Sequence, residues 1–529
     1  MSAIITDQFR ILNANNFVES VENTNNSYYV FVGLPNPAGT STLVGYGRSS
    51  DWNSNTPSPT DSFSYRLHTG DTSMFGKKVS SANIRRIIRR IDWVEGNRYE
   101  IYRDDYSVEN PRPLTKANRL YDANFYVLNS DFKVYICIDN GSTGANPLGN
   151  VSQDEPTFTD LEPSKAGNSG DGYVWKYLFT VSPSDIIKFD STEFITVPNN
   201  WSTSNDSQVR AVRENGNSDV NLKQIKHIYI ENPGSGYADG LNQEVDIIGD
   251  GEGAKARVDI ENNTITNITV SSGGKGYSYG IVDLGNLNSG VTGSGRAKLI
   301  PIIPPSLGHG HDLYTELGTD RVIVYARFDD WTKYFPIDTK FSEVGIVKNP
   351  PKVGTAITYT DSTYSSVKAL KFESVSGSPQ VGEEITQTLT IAPNIGKVAT
   401  AYVASYDSET KVLKYFRDRS LNFNRTTYDH TDYIGISTAG RIYEFESGIG
   451  VNNVDGRTSS FSGSISQSFS GITTNPTGTK LINLGVNFIS GLSNSEINKG
   501  SGEVIYLDNR PLIVRNSRQK EDIKIILEF

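Results

Sequence analysis

Hydrophobic positions along this chain recur mostly at every second residue, in short runs such as 28–32, 132–138, 322–326 and 401–404. Asn, Asp, Gly and Ser punctuate the runs, and that alternation predicts strands. Helical spacing stands out in two places. Thr6 is placed to cap a segment that buries Phe9, Leu12 and Val18. Over 83–92, Ile84, Ile87, Ile88 and Ile91 fall at i, i+3, i+4 and i+7. A helix is predicted there, with Arg85, Arg86, Arg89 and Arg90 on its polar face. The end of the chain reads as a small meander of strands at 503–507, 512–515 and 522–529, turning at Asp508, Asn509, Arg510 and Pro511. In the last strand Ile523, Ile525, Leu527 and Phe529 share one face, which ties the C-terminus into a sheet.

Region 221–305 is dense in glycine and contains an internal duplication. The run GSGY at 234–237 recurs as GKGY at 274–277, and GEGAKA at 251–256 recurs as GSGRAK at 293–298. Each copy reads as strand, glycine turn, strand, and such a unit is stabilised by pairing with its sister. A second stretch, 351–480, is rich in Ser, Thr and Gly. Trp52, Trp93, Trp175, Trp201 and Trp331 all lie outside these two stretches. The predicted architecture is therefore mainly β. A discontinuous β-sandwich core with small helical excursions (1–220, 306–350 and 481–529) carries two inserted all-β modules, 221–305 and 351–480.

At 529 residues the chain is long enough for several cores, about three or four at the usual domain size. Hydrophobic residues at 36% against 21% charged fit a packed protein, not a disordered one. A net charge of -10 repels the phosphate backbone, and no basic arm offsets it, so nucleic acid is not an expected partner. Cys137 is the single cysteine and sits in an apolar run, where it reads as a buried strand residue without a disulfide. Residues 1–10 have no apolar run before a cleavage site, and no stretch approaches 18 uninterrupted apolar residues. These features predict assembly in a reducing cytosol without membrane insertion.

The usual catalytic signatures fail one by one. Residues 70–78 resemble a phosphate loop but have one residue too many between the glycines, and Lys78 stands where Ser or Thr belongs. The glycines of 249–253 precede a strand pattern and read as a hairpin turn. Ser437 with nearby His430 lacks a complete nucleophile elbow, and Gly273-Gly274-Lys275-Gly276 lacks the Asp of a calcium repeat. His309 and His311 are the metal candidates, since i and i+2 on an extended strand point the same way. No cysteine is near and Asp312 would point the other way, so the segment reads instead as a polar linker. The arginines at 85, 86, 89 and 90 are the one concentrated basic feature. They grip an acidic partner, or they pair with the chain's own carboxylates. No catalytic residue and no cofactor is predicted.

Several segments, taken in order, carry a resemblance. They are ITDQFR at 5–10, GRSSDW at 47–52 with PTDS at 59–62, RRIDW at 89–93 with Arg98 and Tyr99, and GDGYVWKYLF at 170–179. YFP at 334–336 with VGIVKNP at 344–350, and GEVIYLDNRP at 502–511, complete the series. Together they resemble the baseplate wedge protein of contractile-tailed phages, the type called gene product eight. The resemblance covers about 1–220, 306–350 and 481–529. This chain departs from the pattern in being much longer and in inserting 34–44 before the GRSSDW run.

The resemblance implies a mostly β-sandwich, non-enzymatic subunit of the virion tail baseplate. Such a subunit is a homodimer within each wedge, contacts other wedge proteins, and transmits baseplate rearrangement by repacking interfaces. Asp51, Trp52, Asp508 and Arg510, within the matching motifs, join the four arginines as partner-interface candidates. The alternative function is a peripheral glycan-binding adhesin working through the inserts, which are rich in Tyr, Asn and Gly. A hydrolase would need paired carboxylates in a cleft, and nothing in the sequence picks out such a pair.

Overall fold

The computed structural model describes residues 6–33, 56, 58, 69–70, 73–110, 114–216, 222–287, 295–329, 340–381, 383–416, 423–424, 429–433, 443–515 and 519–529. The protein is mainly β, as the alternation predicts, with short helices between many small sheets. It divides into two compact units, each built from discontinuous segments. The first comprises Met1–Val18, Arg85–Ile323 and Ile526–Phe529, and the second Glu19–Ile84 and Val324–Ile525.

In the first unit, Tyr126–Leu128, Lys133–Asn140, Tyr173–Thr180 and Ser164–Lys165 form a four-stranded sheet in that order. Its strands are apolar on both faces because both are covered. Trp175 lies fully buried at its centre, opposite Cys137 in register. Tyr173 stacks on Trp175 at 5.3 Å and Tyr99 meets it edge-on at 5.7 Å. An indole buried to this degree removes roughly 150–250 Å² from water, which contributes on the order of 4–6 kcal/mol. Trp201 is the second large anchor, and its indole N–H donates to the Gly310 carbonyl at 2.9 Å.

The glycine-rich repeats, also in the first unit, pair reciprocally. The turn-side strand of the first copy, Glu252–Glu261, pairs with Thr264–Lys275 of the second, and Lys298–Pro301 pairs back with Ile228–Asn232. The registers are equivalent: Ala256 faces Val270 as Leu299 faces Ile230. Gly234 and Gly274 occupy the same place in the two copies, with φ of +68° and +61°. A Cβ on either would sit 2.6 or 2.5 Å from the amide nitrogen of Ala297 or Ala254, so only glycine fits.

In the second unit, Thr363–Ser365, Ser73–Val79, Tyr28–Gly33, Lys340–Lys348 and Glu503–Val514 form a five-stranded sheet in that order. Tyr29 is buried against Tyr364 at 5.1 Å, and its hydroxyl donates to the Asp361 carbonyl at 2.7 Å. A larger sheet runs Val412–Phe416, Val398–Asp407, Glu384–Thr388, Val454–Gly456, Ser462–Ile465, Lys368–Ser376 and Leu492–Ser493. Val412–Phe416 also pairs with Lys368–Ser376, so six of these strands close into a barrel and leave no open edge in the ring. Leu370, Phe372, Ile385, Leu413 and Phe461 fill it.

Three local expectations are corrected. Residues 84–89 form a strand, Ile84–Arg89, not a helix. Isoleucines separated by paired arginines satisfy a helical stripe by coincidence, and their β-branched side chains suit a strand covered on both sides. The N-terminal helix, Asp7–Glu22, does begin at Thr6, whose hydroxyl accepts the Phe9 amide at 3.3 Å. Its buried stripe, however, is Ile11, Ala14, Val18 and Val21, while Phe9 and Leu12 face outward. Lastly, Asp508 to Pro511 do not reverse the chain, because Glu503–Val514 is one strand. Its register against Lys340–Lys348 slips between Asn509 and Ile513, so the turn-like residues form a wide bulge in which Pro511 needs no amide. Glu521–Glu528 then joins a different sheet, so no meander forms.

Candidate protein-binding surfaces

The strand Ile84–Arg89 pairs antiparallel with Phe194–Val197, which aims alternate arginines into opposite environments. Arg86 is buried. Its guanidinium lies 4.2 Å over the Tyr314 ring, donates to Asn15 Oδ1 at 2.5 Å and reaches Asn199 Oδ1 at 3.3 Å. Arg85 pairs with Asp185 at 3.0 Å and Arg89 donates to the carbonyls of Tyr121 and Ala123 at 3.2 and 2.9 Å. Arg90 bridges Asp92 at 2.9 Å and Asp190 at 3.3 Å. All four guanidinium groups thus have partners within the chain. Asp185 and Asp190 each lie 100 residues from the arginine they meet, beyond the reach of any local pattern, whereas Asp92 is a near neighbour of Arg90.

His309 and His311 do not share a direction. They lie in a turn segment in which Gly308 and Gly310 adopt φ of +86° and +88°. His309 Nδ1 meets Glu316 Oε1 at 2.6 Å, with the Tyr102 ring edge-on at 4.8 Å, and Glu316 also accepts the Gly310 amide at 2.7 Å. His311 Nδ1 donates to the Arg213 carbonyl at 3.0 Å. The expected extended geometry is replaced by two unrelated anchors for one loop. Among the described residues no group of three His, Cys, Asp or Glu side chains converges as a metal site.

Asp508 and Arg510 are joined at 2.8 Å on the bulge of Glu503–Val514, with Arg510 exposed. Asp51 and Trp52 lie outside the described residues. A recess of about 510 Å³ in the second unit is lined by Phe31, Ser73, Tyr364, Ile497 and Glu503 among others. Glu503 is the one carboxylate among its described lining residues, so the pair that glycoside hydrolysis requires is not assembled there.

Sequence reasoning missed the apolar side chains that the fold leaves outside. Phe9 and Leu12, one turn apart on the N-terminal helix, are 51% and 52% exposed. Ile248 and Ile281, directly opposite on paired strands of the repeat module, are both exposed, as is Tyr279. At one end of the barrel, Ile391, Ile395 and Ile449 are exposed, Ile449 at 94%. The usable signal was present for the helix alone, since Phe9 and Leu12 are out of phase with the longer stripe from Ile11 to Val21. Among the described residues no helix is long and apolar enough to cross a membrane.

No family model matches the chain. Over 223 residues it is 27% identical to the baseplate wedge protein gp8 of Enterobacteria phage T4, a stretch covering 37% of this chain and 60% of that protein. The chain thus spans less than two thirds of the relative it matches. It is a distant relative of a phage baseplate wedge protein, and a structural role in a phage baseplate is the class of function this relationship supports.

Proposed function

We propose that the chain is a structural subunit of a phage tail baseplate wedge. It forms a homodimer within each wedge, binds other wedge proteins, and transmits the rearrangement of the baseplate by repacking interfaces rather than by chemistry on a substrate. The observation that carries this reading is the second apolar stripe of the N-terminal helix. Ile11, Ala14 and Val18 are spent on the chain's own core, and Phe9 and Leu12 remain half exposed beside them. Single exposed apolar residues are ordinary, whereas adjacent ones on a rigid element mark a contact surface. Arg510, with Asp508 holding it, is a second contact point, and Asp51 and Trp52 are further ones.

A permanent wedge contact buries about 2,000 Å² or more, which the exposed stripe would join as one part. Sedimentation velocity of the purified full chain, alone and mixed with candidate wedge proteins of the same phage, tests the reading. A dimer that co-sediments with a wedge protein supports it. A monomer that binds none of them removes it.

A further inference from the structure

We infer that Lys176 and Asn215 form an isopeptide bond between their side chains, with Glu162 as the base that serves the reaction. Lys176 stands on the strand Tyr173–Thr180 and points inward, 3% exposed. Its Nζ donates to the Leu161 carbonyl at 2.5 Å. Asn215, the last residue of the helix Ser207–Asn215, donates its Nδ2 to the same carbonyl at 3.0 Å and to Glu162 Oε1 at 3.1 Å. Both partners of that amide are acceptors, so its nitrogen, not its oxygen, must face them. The Lys226 ammonium holds the other Glu162 oxygen at 2.6 Å. Lys176, Asn215, Glu162 and Lys226 line one narrow space of about 20 Å³, bounded also by Pro304 and His309. That volume suits about one water molecule.

A nucleophile, a carboxamide and a carboxylate therefore meet in one space, with Lys176 buried on its inner side and Glu162 exposed on its outer side. Burial pushes the Lys176 amine down to about 8, against the opposing carboxylates of Glu162 and Glu316, so free amine is available near neutral pH. Burial works against the Glu162 charge, but Lys226 and Asn215 outweigh it and keep the group anionic, as a base requires.

The step is redox neutral and needs no co-reactant. The lone pair of neutral Nζ attacks Cγ of Asn215, and a bond forms between them. Glu162 takes a proton from Nζ and delivers it to Nδ2, to which it is already hydrogen-bonded. The bond from Cγ to Nδ2 then breaks and ammonia leaves. An amine and a carboxamide become a secondary amide plus ammonia. The product ties a core strand to the end of a helix, a covalent brace within the first unit.

Intact mass spectrometry of the purified full-length protein, followed by proteolysis, tests the assignment. The expected result is a chain lighter than its sequence by one ammonia and a branched peptide joining residues 176 and 215. Lys176→Arg and Asn215→Ala should restore the full mass. Glu162→Gln should restore it with an unchanged circular dichroism spectrum. Full sequence mass in the natural protein overturns the inference. So does an ammonia loss that persists in Lys176→Arg without a branched peptide, which reports succinimide formation at Asn215-Gly216. A link that survives in Glu162→Gln overturns the role given to that carboxylate.

Discussion

The Tyr277 hydroxyl accepts the amide hydrogen of Ala254 at 3.2 Å, and its counterpart Tyr237 accepts that of Ala297 at 2.9 Å. Each repeat's tyrosine closes the other repeat's glycine turn. Neither copy is complete alone, which explains why the sequence carries two.

Tyr277→Phe leaves the Ala254 amide and the Ile247 carbonyl, which accepts from the same hydroxyl at 3.0 Å, without that partner. A cost of about 1–3 kcal/mol is expected, and Tyr237→Phe falls at the low end because one bond is lost. Hydrogen exchange is the discriminating readout. Tyr277→Phe should loosen Glu252–Glu261, in the opposite copy. Loosening confined to the residues around position 277 would contradict the reciprocal arrangement.

Arg86 and Arg510 should respond in opposite ways to truncation. Arg86→Met removes a buried guanidinium with its bonds to Asn15 and Asn199 and its contact with the Tyr314 ring, and should cost about 2–4 kcal/mol in chemical denaturation. Arg510→Ala removes an exposed group and should change stability by no more than about 0.5 kcal/mol, while weakening binding to a wedge partner. Equal destabilisation by both would contradict the assignment of Arg86 to the core and Arg510 to the surface.

Lys414, buried in the second unit beside the Phe75 ring at 4.8 Å, yields a pH signature. Burial lowers its pKa to about 8 from 10.5, with Glu496 and Asp407 opposing the shift. Between those values the unfolded chain binds a proton that the folded chain does not. The cost of the buried charge is fully present below the folded value and is relieved as pH rises from about 8 to 10.5. Stability should therefore climb over that range by up to about 1.4 kcal/mol per pH unit from this group. The climb should be smaller in Lys414→Met by the share this group supplies when urea denaturation is compared at pH values across it.

The legible and illegible parts of this fold divide by the range of their causes. Strand alternation and the duplicated glycine turns are local properties, and both were readable. The isoleucines of 84–91 misled because a strand covered on both faces shows no period of two. Asp508 to Pro511 misled because turn-forming residues also suit a bulge, and the strand Lys340–Lys348 that selects the bulge lies far away in sequence. The proposed contact surface was hardest to read. Phe9 and Leu12 look like core until Ile11, Ala14 and Val18 are seen to occupy the inward face. The side chains gathered around Leu161 come from separate elements that nothing local connects.

The N-terminal helix separates packing from assembly. Val18→Ser should cost about 2–4 kcal/mol. Phe9→Ser with Leu12→Ser should leave thermal stability nearly unchanged, since both side chains are half exposed. The double variant should nonetheless lose self-association. A double variant as unstable as Val18→Ser would mean that the outer stripe packs in the monomer after all.

The most direct test of the account is sedimentation velocity of natural chain and Phe9→Ser, Leu12→Ser double variant side by side, with and without a wedge partner. The account predicts that the natural chain sediments as a dimer and gains mass with the partner, while the variant sediments as a folded monomer. Identical sedimentation of the two as monomers that ignore the partner would contradict it.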